Sequence, residues 1–249
     1  MENVQFDIRI PQESENSVIQ EEFVWLKNNG EERKIKLHDY PQIYRIPFLY
    51  EHLMEKLQAQ SHTILSSLLA EQVTQAGGSV EDLVVLEVGA GSGMFGKALA
   101  DLGIKSITGI DIVPEALDAV SHTYPGVYEN YYIEDLSNLS ETTHKALSNR
   151  GFNCIVCGSA LGFNHIPASA WATAYNMVAP HSWIAFNVQK ERWEDTGANS
   201  FSAWHPWVAK EAIFKMEKTH EYQHRFYLDG RSLIYVAIMG RKKSDILAN

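Results

Sequence analysis

The segment Leu83–Gly93, LVVLEVGAGSG, constrains the fold more than any other part of this 249-residue chain. Leu83–Val88 is a nearly continuous apolar run, the mark of a strand covered on both faces as in a parallel sheet. It passes directly into Gly89, Gly91 and Gly93, three glycines within five residues. Glycine there lets the backbone turn tightly and approach a ligand with no Cβ in the way. The helix that follows offers free N–H groups and a partial positive charge to an anionic group. In an open parallel sheet, ligands collect in the crevice at the carboxyl ends of the strands. A plain βα turn that used glycine for conformation alone would leave this density of glycine unexplained.

The same β-then-α unit repeats downstream. A helix is expected over Met94–Leu102, stopped by Gly103, then a strand at Ser106–Ile110 and a helix from Pro114 through Val120. Strands are expected at Tyr128–Ile133, Cys154–Cys157 and Trp183–Val188, with helices at Ser140–Ser148 and Ala168–Val178 and near Val208–Lys218. Glu221–Leu228 and Leu233–Met239, joined by Asp229-Gly230, read as a hairpin. The fold class is therefore α/β: a mostly parallel, Rossmann-like sheet with helices on both faces and a terminal antiparallel hairpin.

Before Gly77-Gly78 the pattern differs. Residues 1–35 are polar and loosely patterned, and Tyr40–Gln75 carries apolar residues at three- and four-residue intervals, the pattern of two amphipathic helices. The expected division is an N-terminal extension and helical cap over 1–79 and a ligand-binding domain over 80–249. The N-terminus lacks the basic start and apolar run of a secretory signal, and no stretch approaches the roughly 20 apolar residues that span a bilayer.

Composition and cysteine usage bound the partners. Twenty-one Lys and Arg against 31 Asp and Glu give a net charge of −10, which repels phosphate backbones and argues against nucleic acid. Cys154 and Cys157 spell CxxC, but in a strand side chains three apart face opposite ways, and no further Cys/His pair completes a zinc site. Two buried thiols in a reducing, cytoplasmic setting, with no metal and no membrane, are expected.

Two cofactor classes compete for the glycine loop. Gly91, Gly93 and Gly96 satisfy G-x-G-x-x-G, with Asp111 20 residues beyond Gly91, as a nicotinamide dinucleotide site would want. That fingerprint begins two residues late, however, leaving Gly89-Ala90 as spacer. Read from Glu87, E-V-G-A-G-S-G resembles motif I of the class I S-adenosylmethionine (SAM) methyltransferases. The likeness runs on over roughly residues 80–242. Gly109-Ile110-Asp111-Ile112 resembles the end of the family's second strand, where an acidic side chain takes the ribose hydroxyls. Glu134-Asp135-Leu136 resembles the loop that meets adenine, and Pro180-His181-Ser182 stands where many members have Pro-Gly-Gly. The closing hairpin resembles the family's antiparallel seventh strand.

The resemblance implies SAM as cofactor and S-adenosylhomocysteine (SAH) as product. It places cofactor contacts at Tyr44, Glu87, Gly89, Ala90, Gly91, Gly93, Asp111, Ile112, Asp135, Leu136 and Gly158. Tyr44 is a candidate lid over SAM, or a tyrosine packing at a helix entry. Glu87 would attract the ammonium or bond the loop's own N–H groups.

The acceptor site is expected from three segments: Leu37–Leu49, Gly158–Pro167 and Gln189–Trp207. Gly158–Pro167 lacks the Asn/Asp-Pro-Pro-aromatic signature of amino- and nucleobase-directed methyltransferases. Its His165 is a candidate general base, with an ordinary pKa of about 6.5, or a polar loop residue. Trp193, Trp204 and Trp207 lie with His205 in an expected loop, since exposed indoles are costly without a partner. They read as the wall of an apolar pocket with His205 as a second base, or as packing of the N-terminal helices onto the sheet. Tyr40, Trp193 and Trp204 are the substrate-binding candidates. Of His224 and Arg225, neighbours on a strand, at most one is expected to face the site, with Arg225 in solvent or in a salt bridge.

The expected function is SAM-dependent methyl transfer to an O or N of a small-molecule acceptor, by a monomer or homodimer. A nicotinamide oxidoreductase, a SAM enzyme of other chemistry such as cyclisation, and a non-catalytic binding module stand as alternatives.

Overall fold

A computed structural model describes residues 6–11, 22–28, 30–162 and 165–247. Its centre is a seven-stranded sheet in the order β6-β5-β4-β7-β8-β10-β9. Here β4 is Val84–Val88, β5 Ser106–Asp111, β6 Asn130–Ile133, β7 Cys154–Cys157 and β8 Trp183–Gln189, all parallel; β9 is Phe214–Phe226 and β10 Ser232–Lys242. β10 pairs antiparallel with both β8 and β9, which gives the expected hairpin and makes the fold α/β with a mostly parallel Rossmann-like sheet.

Helices cover both faces. One face buries Leu86, Val88, Ile155 and Cys157 against α6 (Glu141–Ser148) and α7 (Ala168–Asn176). The other buries Val85, Cys154 and Val156 against α3 (Ser61–Gln75) and α4 (Met94–Asp101). Cys154 and Cys157 thus fall on opposite faces, free and buried, and burial pushes both thiols up from their ordinary pKa. α5, Glu115–Thr123, starts directly after Pro114.

Four expectations are corrected. The described residues of 1–36 include three strands: β1 (Phe6–Arg9), β2 (Phe23–Asn28) and β3 (Glu31–Lys36) pair as an antiparallel sheet. β3, EERKIK, buries only Ile35, so its charged solvent face hides the alternation. Second, Tyr40–Gln75 holds three helices, not two: α1 (Tyr40–Tyr44), α2 (Leu49–Lys56) and α3. The breaks fall at Phe48 (φ 65°) and Gln58 (φ 54°), left-handed residues that no glycine announces. Third, the helix near Val208–Lys218 is absent. A 3₁₀ turn at Pro206–Ala209 leads into β9, whose charged residues suit an exposed edge strand. Finally, Gln189–Trp207 is not one loop but carries α8 (Lys190–Glu194) and α9 (Phe201–Trp204).

The N-terminal sheet, α1 and α2 share a core with Ala116 and Ala119 of α5 and with Leu228, which holds them over the carboxyl ends of β4 and β5. Among the described residues no helix is long and apolar enough to cross a membrane, and no cluster of His, Cys, Asp or Glu is suited to hold a metal ion.

Candidate functional site

The glycine loop is clamped to the end of β5. Gly89 and Ala90 N–H donate to Ile110 O at 2.9 and 3.2 Å. Gly91 N–H donates to Asp111 Oδ2 at 2.8 Å, Val113 N–H donates to Asp111 Oδ1 at 2.9 Å, and Tyr131 Oη donates to Gly91 O at 2.6 Å. Gly91 adopts φ +54°, and a Cβ on it would sit 2.5 Å from Tyr44 Oη. Tyr44 therefore closes over the loop from α1, stacked on Tyr40 with ring centres 5.8 Å apart. From α2, Glu51 accepts the Ser92 hydroxyl proton. Burial pushes the Asp111 carboxyl up, opposed by its backbone N–H bonds.

Glu87 is the penultimate residue of β4. It is 1% exposed, lines neither cavity of the site and bonds no loop N–H; its carboxylate accepts the Tyr128 hydroxyl at 2.9 Å. Burial pushes its pKa up to about 8. The native state therefore keeps a proton that the unfolded chain releases near 4.5, so stability falls as pH rises between those values. Glu87→Gln is expected to raise stability at pH 8.5 by at least ~1.4 kcal/mol, the worth of one pKa unit, and to change it little at pH 4.5. Melting curves across pH check this; parallel curves for the two proteins would refute it.

A cavity of ≈ 330 Å³ opens beside the loop. It brings together Tyr40, Tyr44, Gly89, Asp111, Ile112, Asp135, Leu136, Gly158 and His165 of the sequence candidates. A smaller chamber against Gly89, Ala90 and Gly91 shares Tyr44, Gly158 and His224 with it. Gly93 lines neither cavity; it caps α4, and its missing Cβ makes room for Val120 and Tyr128. His165 lines the cavity with an exposed side chain, and partial desolvation there pushes its pKa below the usual histidine value. Its loop neighbours Phe163 and Asn164 lie outside the described residues.

Trp193, Trp204 and His205 line neither cavity. His205 is fully buried against Phe201, with ring centres 4.9 Å apart and no partner for either nitrogen among the described residues. Burial pushes its pKa down to about 4. Trp207 stacks on Trp171 of α7 at 5.5 Å, Trp193 packs on Phe201 at 5.9 Å, and Arg192 lies over Trp204. Trp193 and Trp207 pack into the core on the α7 side of the sheet, and Trp204 lies half-buried outside both cavities.

Sequence reasoning missed His38, Tyr50, Leu233 and Tyr235, and it missed that both His224 and Arg225 line the cavity. The reason for the last is a bulge. Arg225 pairs with Leu233 and Gln223 with Ile234, so His224 is an extra residue in β9 and the alternation breaks there. Arg225 is salt-bridged as expected, but inside: it is 4% exposed and donates to Glu22, 3% exposed, at 2.6 Å. A turn signal marks a hairpin; nothing in HEYQHRFY marks which residue bulges.

A family model described as a methyltransferase domain matches residues 57–234. Among solved structures the chain is similar in fold to magnesium protoporphyrin IX methyltransferase from Synechocystis PCC 6803 with bound SAM, at TM-score 0.50 and 15% identity over 73% of this chain and 80% of that one. It is likewise similar to the N-methyltransferase NodS of Bradyrhizobium japonicum WM9 in complex with SAH, at TM-score 0.50 and 19% identity over 74% and 86%. Curated relatives are ribosomal RNA small subunit methyltransferases A. That of Bradyrhizobium sp. (strain ORS 278) is 26% identical over 151 residues, 57% of this chain and 51% of the relative. That of Sinorhizobium fredii is 28% identical over 131 residues, 49% and 43%. The chain spans about half the length of these relatives. With its clamped glycine loop, its strand order and a match across most of its length, the chain belongs to the methyltransferase-domain family and has a Rossmann-like fold.

Proposed function

We propose that the enzyme methylates an oxygen or nitrogen of a small molecule held in the cavity between the N-terminal cap, residues up to 79, and the sheet. The observation that carries this reading is the continuity of the cavity wall. Asp111, Asp135 and Leu136 line it together with Tyr40, His165 and His224. A basin roofed by a cap suits a molecule that enters whole better than a duplex or a long strand. The charge of −10 and the loop after β7, which lacks Asn/Asp-Pro-Pro-aromatic, point the same way.

The residues present fit the cofactor. Each Asp111 oxygen accepts one backbone N–H and keeps a further lone pair toward the cavity, where a ribose diol could donate. The chamber at Gly89–Gly91 is a cradle that a Cβ at Gly91 would fill. Asp135, Leu136 and Ile112 would take the adenine, and the loop and the N-terminus of α4 the methionine moiety. When bound, SAM supplies a methyl group made electrophilic by its sulfonium. What this chain does is exclude water, orient the acceptor and, at His165, offer a neutral imidazole to a proton released by a hydroxyl or amine. The two free thiols favour a reducing, cytoplasmic setting.

Incubating the protein with methyl-labelled SAM and an extract separated into small molecules, RNA and protein tests the reading. Label in the small-molecule fraction, with SAH formed in equal amount, is the expected result. Label in RNA would instead favour the substrate class of the curated relatives, and SAH without methylated product would remove methyl transfer.

A further inference from the structure

Behind the cavity wall, Ser61 of α3, Asn187 of β8 and Tyr222 and His224 of β9 form a buried polar cluster. Ser61 Oγ lies 2.5 Å from His224 Nδ1 and 2.6 Å from Tyr222 Oη. Asn187 Nδ2 lies 3.0 Å from Ser61 Oγ and 2.7 Å from Tyr222 Oη.

The protons of this cluster can be assigned by counting. Asn187 Oδ1 accepts the Ser159 N–H, which turns Nδ2 toward three hydroxyls, and its two protons go to the nearer pair, Ser61 and Tyr222, over Ser159 Oγ at 3.3 Å. Tyr222 Oη then has one acceptor for its own proton, Ser61 Oγ. Ser61, accepting twice, has one acceptor left, His224 Nδ1. The reverse direction strands a buried tyrosine hydroxyl with no acceptor among the described residues, at the full cost of desolvating it. Nδ1 therefore accepts, and the ring proton sits on Nε2. Burial first, then the positive charge of Arg225 and the nearby His62 and His38, push the pKa of His224 down to about 3, so the ring is neutral.

Nε2 has no hydrogen-bond partner among the described residues and is not sealed from solvent. The bulge turns the ring to the wall shared by the large cavity and the chamber beside the glycine loop. We propose that His224 fixes the methyl acceptor by donating its Nε2–H to an oxygen lone pair on an aromatic molecule, and that Ser61, Tyr222 and Asn187 are positioning residues that set its tautomer. This rests on the small-molecule reading above. The cavity supplies the aromatic surface, from Tyr40, Tyr50 and Tyr235, the last stacked on His224 with ring centres 4.2 Å apart. Its carboxylates, Asp111, Glu134 and Asp135, line the large cavity but not the chamber; Arg225 beside His224 is paired with Glu22, so the group offered there is the Nε2–H itself, which takes an oxygen lone pair and not an ammonium. A donor at Nε2 cannot also serve as the base, so His224 orients and His165 receives the proton.

The test uses the full chain saturated with SAH, with phenol and toluene as probes that differ by one oxygen. Histidine-labelled NMR is expected to show His224 as the neutral Nε2–H form, and Ser61→Ala to shift that signal; an Nδ1–H form would overturn the assignment. Wild type and His224→Gln, which keeps a donor near Nε2, are expected to bind phenol at least 10-fold more tightly than toluene. His224→Leu is expected to lose that preference, each variant being measured at its own saturating SAH concentration. No preference in wild type, or a preference that survives His224→Leu, overturns the proposal. Failure of wild type to bind SAH overturns the methyltransferase reading itself.

Discussion

Asp111→Ala is expected to weaken SAH binding by about 100-fold or more, the equivalent of roughly 3 kcal/mol. A charge-assisted hydrogen bond contributes ~1.5–3 kcal/mol, and a ribose diol offers two donors to this carboxylate. The same carboxylate also holds Gly91 N–H at 2.8 Å and Val113 N–H at 2.9 Å. Its removal frees the loop as well as the ribose contact, so the effect exceeds that of a binding group alone. Asp111→Asn, which keeps one acceptor oxygen, should fall between the two. Calorimetric titration with SAH separates the cases, and wild-type affinity in the alanine variant would remove Asp111 from the site.

Gly96→Ala should destabilise the protein by ~2–3 kcal/mol, although the change ordinarily favours a helix interior by ~1 kcal/mol. Gly96 lies within α4, and its Cβ would fall 2.5 Å from Tyr128 Cζ and 2.9 Å from Cε1, closer still to the hydroxyl. The ring has nowhere to go. It is also backed by Gly93 and Gly109 and tied to Glu87 through its hydroxyl. Adding Tyr128→Phe removes only the hydroxyl and should not restore stability. Denaturant unfolding measures both variants, and an unchanged or raised midpoint in Gly96→Ala would show that the ring can move.

The parallel sheet was legible because each buried strand is apolar on both faces and each crossover ends in glycine or opens on proline; Leu83–Val88, Ser106–Ile110 and Cys154–Cys157 fall within a residue of the observed strands. The part of the cavity formed by Gly89, Asp111, Asp135 and Leu136 was legible for the same reason, since strand ends and their loops place it. What escaped depends on long-range pairing. β3 turns one apolar side chain inward, β9 is an edge strand whose charges resemble a helix surface, and the breaks at Phe48 and Gln58 carry no local signal. Trp207 reads as a loop residue until α7 supplies Trp171 and Tyr175 as its partners, and Trp193 does so until Phe201 of α9 covers it. His224 and Arg225 share a wall only because one residue of β9 is left out of register.

The strand order also sets a schedule for synthesis. β10 follows β9 in the chain yet lies between β9 and β8, so β9 has no neighbour, and the β8 edge stays open, until residues 232–242 emerge from the ribosome. A nascent chain that has reached Gln189 can already shape its glycine loop and the Asp111 clamp, while the wall built from His224, Arg225, Leu233 and Tyr235 does not yet exist. On the proposed reading the cofactor's part of the cavity is thus built before the acceptor's, and in that interval the β8 edge is open to pairing.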